Sequence, residues 1–286
     1  LQGLLMALTA ILLPVTALIA VGGPAGLLDG LARMGPALTS STGTHTGIAA
    51  IGFVAGTLGI GLGYPGQPHV VNRFMALRDD RALAQARWIA IGWALAVYSG
   101  MLLLGLCARV LFDGAELGEQ VFFAATNELY PPVVAGVMLA AVLSAIMSTA
   151  DSQLLVASSS VAYDTPRALG FDRIASRMSA SRVAVAALCV AASLLALYAP
   201  EAVFTRVLFA WHAVGSAFGP LLVARLLGVR LRGSGALASV LIGFFATVIL
   251  NWLPGPPGDA FERLIPLLLA SITILISIDR RKALNS

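Results

Sequence analysis

The sequence predicts an all-α, polytopic membrane protein with about eight transmembrane helices. Of its 286 residues, 58% are hydrophobic and only 11% are charged, and its mean hydropathy is +0.90. Soluble domains contain about 25% charged residues, so this chain is expected to lie in a lipid bilayer. Its apolar runs are as long as a bilayer-crossing helix, and they lack the alternation that a transmembrane β-barrel requires.

The eight spans are apolar runs with few or no charged residues, taken here in chain order. The first ends at Gly22-Gly23-Pro24, and a polar loop is predicted from Asp29 to Thr46. A cluster of glycine and proline interrupts the second span, the fourth carries polar residues at its centre, and the eighth is the shortest. The spans cover residues 1–21, 47–73, 88–107, 132–163, 181–198, 203–227, 235–253 and 264–278.

The basic residues predict the orientation of the chain in the plasma (inner) membrane. Fourteen of the 18 lie on one side of the eight spans, and the positive-inside rule places that side in the cytoplasm, together with the C-terminus. The net charge of +4 comes from these loops, where no basic patch is interleaved with aromatic residues, so no nucleic-acid partner is expected. The 14 residues are Arg73, Arg78, Arg81, Arg87, Arg167, Arg173, Arg177, Arg182, Arg225, Arg230, Arg232, Arg280, Arg281 and Lys282.

Five glycine and proline residues interrupt the second span within eight positions: Gly61, Gly63, Pro65, Gly66 and Pro68. A regular helix is expected to fail there, because glycine permits unusual backbone angles and proline lacks an amide donor. The freed backbone groups must be buried in protein or line a cavity. Tyr64 and Gln67 lie inside the break and offer polar ends to a solute, and an interrupted span is typical of a transporter binding site. The alternative is a helix end followed by an interfacial loop, but the run 47–62 is short for a full crossing.

Hydroxyl and carboxylate groups lie at the midpoint of the fourth span. Ser144, Ser148, Asp151 and Ser152 share one helical face, and Thr149 lies beside it, one turn after Ala145. Helical side chains lean toward the N-terminus, so the hydroxyls of Ser148 and Thr149 are expected to point at the Ala145 carbonyl. Three oxygens would then converge, as in half of a hard-cation site. The alternative is that these hydroxyls bond to their own backbone or across helices.

These strings resemble the sodium/solute symporter family, and most closely its sodium/proline symporters. The resemblance rests on residues 61–69 followed by 73–76, on 141–163 with its Met-Ser-Thr core, and more weakly on 210–220. It implies a single transmembrane transporter domain, 1–286, with a core of two five-helix repeats in inverted topology. Residues 1–22 would be the last helix of the first repeat, 47–228 the second repeat, and 235–279 two peripheral helices. The helices before residue 1 would be missing.

The resemblance also implies site residues. The carbonyl of Ala145 and the hydroxyls of Ser148 and Thr149 would bind sodium, with the remaining ligands on a missing helix. Tyr64 and Pro68 would line the solute pocket. Proline carriers have a tryptophan four residues before this tyrosine, whereas this chain has Ile60, so the pocket loses an aromatic wall.

The function expected from the resemblance is sodium-coupled import of a small organic solute, most simply an amino acid such as proline, by alternating access. Asp151 has alternative roles: it binds a second cation or a proton, as in a proton-coupled symporter, or it is structural. A non-transporting membrane sensor or structural subunit is the other alternative. The sequence contains no metal-spaced His/Cys cluster, nucleophile elbow or phosphate loop, so no enzyme is expected. His69 and His212 are interpreted as packing residues, and no oligomeric state is predicted.

Overall fold

The computed structural model describes residues 2–113, 117–175, 177–198, 203–253 and 255–278. Within these ranges the chain forms α-helices and no β-strand, and the helices are joined by turns and by a longer connection at residues 35–46. The helices are α1 (Gln2–Ala20), α2 (Gly23–Met34), α3 (Gly47–Leu62), α4 (Pro68–Met75), α5 (Asp80–Leu111), α6 (Val121–Leu129), α7 (Pro132–Ser159), α8 (Thr165–Ala168), α9 (Asp172–Ala175), α10 (Met178–Tyr198), α11 (Val203–Leu226), α12 (Gly233–Asn251) and α13 (Ala260–Ile276). The predicted cytoplasmic tail, with Arg280, Arg281 and Lys282, and the last residue of the predicted segment 235–279 lie outside the described residues.

Seven helices in the described part of the chain are long and apolar enough to cross a membrane. They are α1, α3 with the turn that follows it, α5, α7, α10, α11 and α12. The eighth predicted span corresponds to α13, which has 17 residues and is therefore at the short end of the transmembrane range. These helices confirm the all-α, polytopic membrane architecture.

The predicted polar loop from Asp29 to Thr46 is wrong in its first part, because α2 continues to Met34. This helix begins at the Gly23-Pro24 pair, and proline is well suited to the first turn of a helix. Leu27 and Leu31, four residues apart, are buried, whereas Asp29 is exposed. A search for charge-free runs misses α2 because this amphipathic helix carries Asp29 and Arg33. The same search misses α6 because that helix has only 9 residues.

Helix α5 is longer at both ends than the predicted span 88–107. It includes charged residues near each terminus, which the charge-free criterion removed. The carboxylate of Asp79 caps its N-terminus by accepting a hydrogen bond from the Ala82 N–H at 2.7 Å. That hydrogen bond and, secondarily, the Arg78 guanidinium lower the pKa of the Asp79 carboxyl. The capped start therefore extends the helix beyond its apolar part.

The helices group into two units, each of which is described by itself. Unit 1 comprises residues 1–36 and 77–200, and unit 2 comprises residues 37–76 and 201–286. In unit 1, α1 packs against α5, α6 and α7. Leu13 and Cys107 are fully buried there. The Thr16 hydroxyl and the Tyr130 hydroxyl lie 2.6 Å apart and join α1 to the segment between α6 and α7.

In unit 2, α11 is the central helix and packs against α12, α13 and the turn that follows α3. Its buried face consists largely of small residues: Ala213, Gly215, Ser216, Ala217 and Gly219. Helices α12 and α13 are joined by the Ser239 hydroxyl, which donates to the Ala270 carbonyl at 3.0 Å. Small residues let membrane helices approach closely, and this close approach is how unit 2 is held together.

Gly100 on α5 tests the close packing of unit 1. A Cβ atom at this position would lie 2.3 Å from the Ala10 carbonyl oxygen of α1. We expect Gly100→Ala to force the two helices apart and to cost about 1–3 kcal/mol of stability. Gly92→Ala on the same helix is the matched control, because nothing lies within 4 Å of its added Cβ. Thermal unfolding in detergent measures both, and equal melting temperatures would contradict the packing argument.

Candidate solute and cation sites

The helix of the second span is interrupted where its glycine and proline residues cluster. Helix α3 ends at Leu62, residues Tyr64–Gly66 form a single 3₁₀ turn, and α4 begins at Pro68. Gln67, between the turn and α4, has an extended backbone with φ −81° and ψ 112°. Gly61 lies in the last turn of α3, and Pro65 lies inside the 3₁₀ turn. The chain therefore stops, turns and resumes as a helix.

Trp211 of α11 closes the end of α3. Its indole Nε1 donates a hydrogen bond to the Ile60 carbonyl oxygen at 3.0 Å. This carbonyl is one of the last four of α3, which lack regular intrahelical partners. The N–H of Gly63 also reaches it, at 3.3 Å. A side chain 151 positions away thus satisfies the helix terminus.

Gln67 forms the second connection between the break and α11. Its side chain is buried, and Nε2 donates to the Gly63 carbonyl at 3.1 Å and to the Trp211 carbonyl at 2.9 Å. The two amide hydrogens are therefore engaged within the protein in this conformation. Gln67 therefore joins the start of the 3₁₀ turn to α11 through its side-chain amide.

Glycines bring the break and α11 into backbone contact. A Cβ at Gly66 would lie 2.5 Å from the Gly215 carbonyl oxygen and 2.7 Å from the Gly219 nitrogen. A Cβ at Gly215 would lie 2.6 Å from the Gly63 Cα. No side chain fits between these segments, so the backbone of the break rests directly on α11.

The remaining predicted solute residues, Tyr64, Ile60 and Pro68, lie in or beside the 3₁₀ turn that rests on α11. Tyr64 is 46% exposed as a residue, and its ring lies beside the Trp211 ring, with the ring centroids 5.8 Å apart and the planes tilted by 50°. Ile60 and Pro68, on either side of the break, are half-buried. An aromatic pair with one accessible ring beside a fixed turn is suited to contact the apolar part of a small solute.

The predicted cation residues lie on α7, in unit 1. The Thr149 hydroxyl donates to the Ala145 carbonyl oxygen at 3.2 Å, so these two oxygens are adjacent as the helical spacing predicts, and in this conformation the hydroxyl bonds to its own backbone, as in the alternative stated above. Ser148 is half-buried, and its hydroxyl makes no side-chain hydrogen bond within the described part of the chain. Hydroxyl and carbonyl oxygens are the ligands that hard cations prefer. The chemistry of this set fits sodium.

Asp151 lies one turn further along α7 and is exposed. Among the described residues its carboxylate forms no ion pair, and the two salt bridges found there involve Asp79 and Asp259 instead. Ser152 is engaged locally, because its hydroxyl donates to the Thr149 carbonyl at 2.8 Å. A structural role for Asp151 through an arginine within unit 1 is thus not realised in this conformation.

Helix α7 ends in a π turn at Ser160–Asp164, before α8 begins. The Thr165 hydroxyl donates to the Ser160 carbonyl oxygen at 2.8 Å across this turn. Arg167 donates to the Tyr163 hydroxyl, and its guanidinium lies over the Tyr163 ring. Turns of this kind occur mostly as single insertions in α-helices, frequently at functional sites.

Trp211 and its neighbours were not identified as site residues from the sequence. Residues 210–220 were recognised only as part of a weaker resemblance. The spacing of Gly215 and Gly219, four residues apart on an apolar helix, is a signal of close helix approach. Their partner in space could not be read from that spacing. His212, interpreted as a packing residue, is 1% exposed, and its Nε2 has no hydrogen-bond partner among the described residues.

Comparison with a family profile and with curated proteins finds relatives of this chain. The profile of the Sodium:solute symporter family matches residues 1–243. The chain is 34% identical over 259 residues to the osmoregulated proline transporter OpuE of Bacillus subtilis, covering 88% of this chain and 51% of that protein. It is 33% identical over 278 residues to the high-affinity proline transporter PutP of Bacillus subtilis, covering 95% and 57%. It is 32% identical over 268 residues to the sodium/proline symporter of Escherichia coli, covering 88% and 52%.

The chain spans about half the length of the curated relatives that it matches. The family profile nevertheless covers most of this chain, including the broken second span and the polar centre of α7. The resemblance predicted from the sequence is therefore confirmed. This chain belongs to the sodium:solute symporter family.

Proposed function

We propose that this chain carries the solute-binding break and part of the cation site of a sodium-coupled symporter, which imports a small organic solute by alternating access. Proline is the first candidate solute, because the relatives named above are proline transporters. Family membership favours a symporter over a sensor or a structural subunit, and this family consists of transporters rather than enzymes. The basic segments support a plasma-membrane orientation with the C-terminus in the cytoplasm.

The oxygen cluster on α7 is the observation that carries the proposal. It consists of the Ala145 carbonyl, the Thr149 hydroxyl 3.2 Å from it, and the neighbouring Ser148 hydroxyl. These groups lie on a membrane-length helix, where polar side chains are costly and usually functional. Since the Ser148 hydroxyl has no protein partner in the described residues, it is available to a cation. The same set of neutral oxygens favours a monovalent metal ion over a proton as the coupling ion.

The break supplies the solute platform in this proposal. Tyr64 offers an accessible ring, while Trp211 and Gln67 hold the turn in a fixed conformation. A site that is already ordered loses less conformational entropy when the solute binds, so the solute binds more tightly. Rocking of one group of helices against another would then expose the bound solute and ion to each side in turn.

The energy available from one sodium ion is sufficient for nutrient uptake. A single charge that crosses 100 mV releases about 2.3 kcal/mol. A tenfold sodium gradient adds about 1.4 kcal/mol, so accumulation of roughly several-hundred-fold is accessible per ion.

Thr149→Val and Ser148→Ala test the cation site. Each removes one ligand oxygen with little change in volume. We expect the sodium concentration for half-maximal uptake to rise by about tenfold or more, since an interaction with a charged group is worth about 1.5–3 kcal/mol. Thr149→Ser, which keeps the hydroxyl, should remain close to the parent protein. Sodium dependence of uptake in proteoliposomes measures this effect, and an unchanged dependence in both variants would remove the assigned site.

Tyr64→Ala tests the solute pocket. We expect the KM for the solute to rise by about tenfold, because a contact ring worth about 1–2 kcal/mol is lost, while the sodium concentration for half-maximal uptake changes less. Tyr64→Phe keeps the ring beside Trp211 and should retain most of the affinity. Competition of labelled proline uptake by other amino acids ranks the solutes. A larger effect on sodium than on solute would count against Tyr64 as a pocket residue.

Gly215→Ala tests whether the backbone contact with the break matters for transport. Its Cβ would lie 2.6 Å from the Gly63 Cα, and such overpacking costs about 1–3 kcal/mol. Gly219→Ala is the matched control one turn along α11, since its Cβ would meet only ordinary contacts at 3.6 Å and 3.8 Å. We expect a raised solute KM in the first variant and near-normal uptake in the second. The reverse order would show that this contact does not position the pocket.

A further inference from the structure

Arg263 is a buried arginine near the start of α13. Its side chain is only 9% exposed, although charged groups in membrane segments are costly unless they are paired. Its Nη2 donates to the Asp259 carboxylate at 2.8 Å, and the Asp259 side chain is 61% exposed. Its Nη1 donates to the Gly56 carbonyl oxygen of α3 at 3.1 Å. Arg263 therefore connects the turn before α13 to the interior of α3.

The Gly56 carbonyl lies one helical turn before the Ile60 carbonyl, so both carbonyls are on the same face of α3. Each accepts a side-chain N–H from another helix: Gly56 from Arg263 of α13, and Ile60 from Trp211 of α11. The face that leads into the break is thus held at two successive turns by two different helices.

Two glycines of α3 pack closely against the start of α13 and the turn before it. A Cβ at Gly56 would lie 1.9 Å from the Gly258 carbonyl oxygen. A Cβ at Gly59 would lie 3.2 Å from both the Arg263 Cβ and the Leu264 Cδ2. At Gly56, as at Gly66, backbone meets backbone without an intervening side chain, whereas Gly59 lies against the side chains of Arg263 and Leu264. A small displacement of α13 is therefore transmitted to α3.

We infer that Arg263 is a positioning residue for the solute site, and this inference rests on the function proposed above. The guanidinium fixes the segment that precedes the break against α13, so that α3, α11 and α13 move as one body during transport. Helix α13, which the family resemblance implies to be peripheral, becomes part of the group of helices that carries Tyr64. Arg263 does not contact the solute, and it acts through the orientation of the last turns of α3.

Hydrogen exchange tests this inference without reference to transport. Amide exchange is measured by mass spectrometry over residues 56–67 of the full chain in lipid nanodiscs, for the parent protein and for Arg263→Met. We expect exchange in this segment to become at least about tenfold faster, because a hydrogen bond from a charged donor is lost. Ser239→Ala is the matched control, since it removes a buried bond between α12 and α13 without touching α3. It should leave exchange in residues 56–67 unchanged.

Two further variants keep the inference falsifiable if Arg263→Met fails to insert. Arg263→Lys keeps the charge and a donor, so exchange should fall between the parent and Arg263→Met. Asp259→Asn weakens only the exposed partner and should accelerate the same amides by about threefold. Unchanged exchange in all Arg263 and Asp259 variants, or equal acceleration in Ser239→Ala, would overturn the inference.

Transport then separates the two proposals. In the Arg263 variants we expect the solute KM to rise at least about fivefold, while the maximal rate changes less than twofold. A parent protein that shows no sodium-dependent uptake would refute the proposed function, and the exchange result would still decide whether Arg263 positions the break. Faster exchange with an unchanged KM would show that the contact is structural only and would overturn the positioning role.

Discussion

The hydrogen bond from the Trp211 indole to the Ile60 carbonyl is the interaction on which the broken helix, and with it the proposed solute site, depends. A helix that stops inside an apolar environment leaves carbonyl groups unpaired, and each such group costs about 1–3 kcal/mol if it stays so. Trp211 supplies the missing donor, and the Gln67 side-chain amide donates a hydrogen bond to the Trp211 carbonyl. With both bonds made, the Ile60 carbonyl and the Gln67 amide are paired where the chain leaves the helix, turns and resumes as α4. The break is then a defined surface instead of a local defect.

The position of the break could be predicted from the sequence, but its support could not. Gly61 to Pro68 contain the residues that disfavour a helix, and the structure interrupts the helix at those positions. Apart from Gln67, the residues that stabilise the break come from α11, about 150 positions later in the chain. Only the three-dimensional packing pairs Gly63 and Gly66 with Gly215 and Gly219. The spacing of glycines along a sequence shows which face of a helix carries small residues. It does not show which other helix packs against that face.

The contact between the Ala145 carbonyl and the Thr149 hydroxyl was predictable because it is local. Ala145 and Thr149 are one turn apart on a single helix, so helical geometry alone brings their oxygens together. The helix boundaries were predictable only where charge and apolarity change together. Helix α2 was missed because Asp29 and Arg33 lie on its exposed side, and α5 was predicted too short because its capped start is charged. The apolar criterion locates the bilayer-crossing part of a helix and not its true ends.

The π turn at the end of α7 has a consequence for how this helix evolves and is engineered. A π turn accommodates one additional residue within about one turn, so the helix that follows keeps nearly the register that it would have without that residue. In a regular α-helix the same insertion would rotate everything that follows by about 100° around the helix axis. Deleting one position from residues 160–164 is therefore expected to restore regular winding and to leave the direction of α8 nearly unchanged. The same deletion in the regular part of α7 would instead rotate everything after it, so the end of this helix can change in length without changing the direction of its continuation.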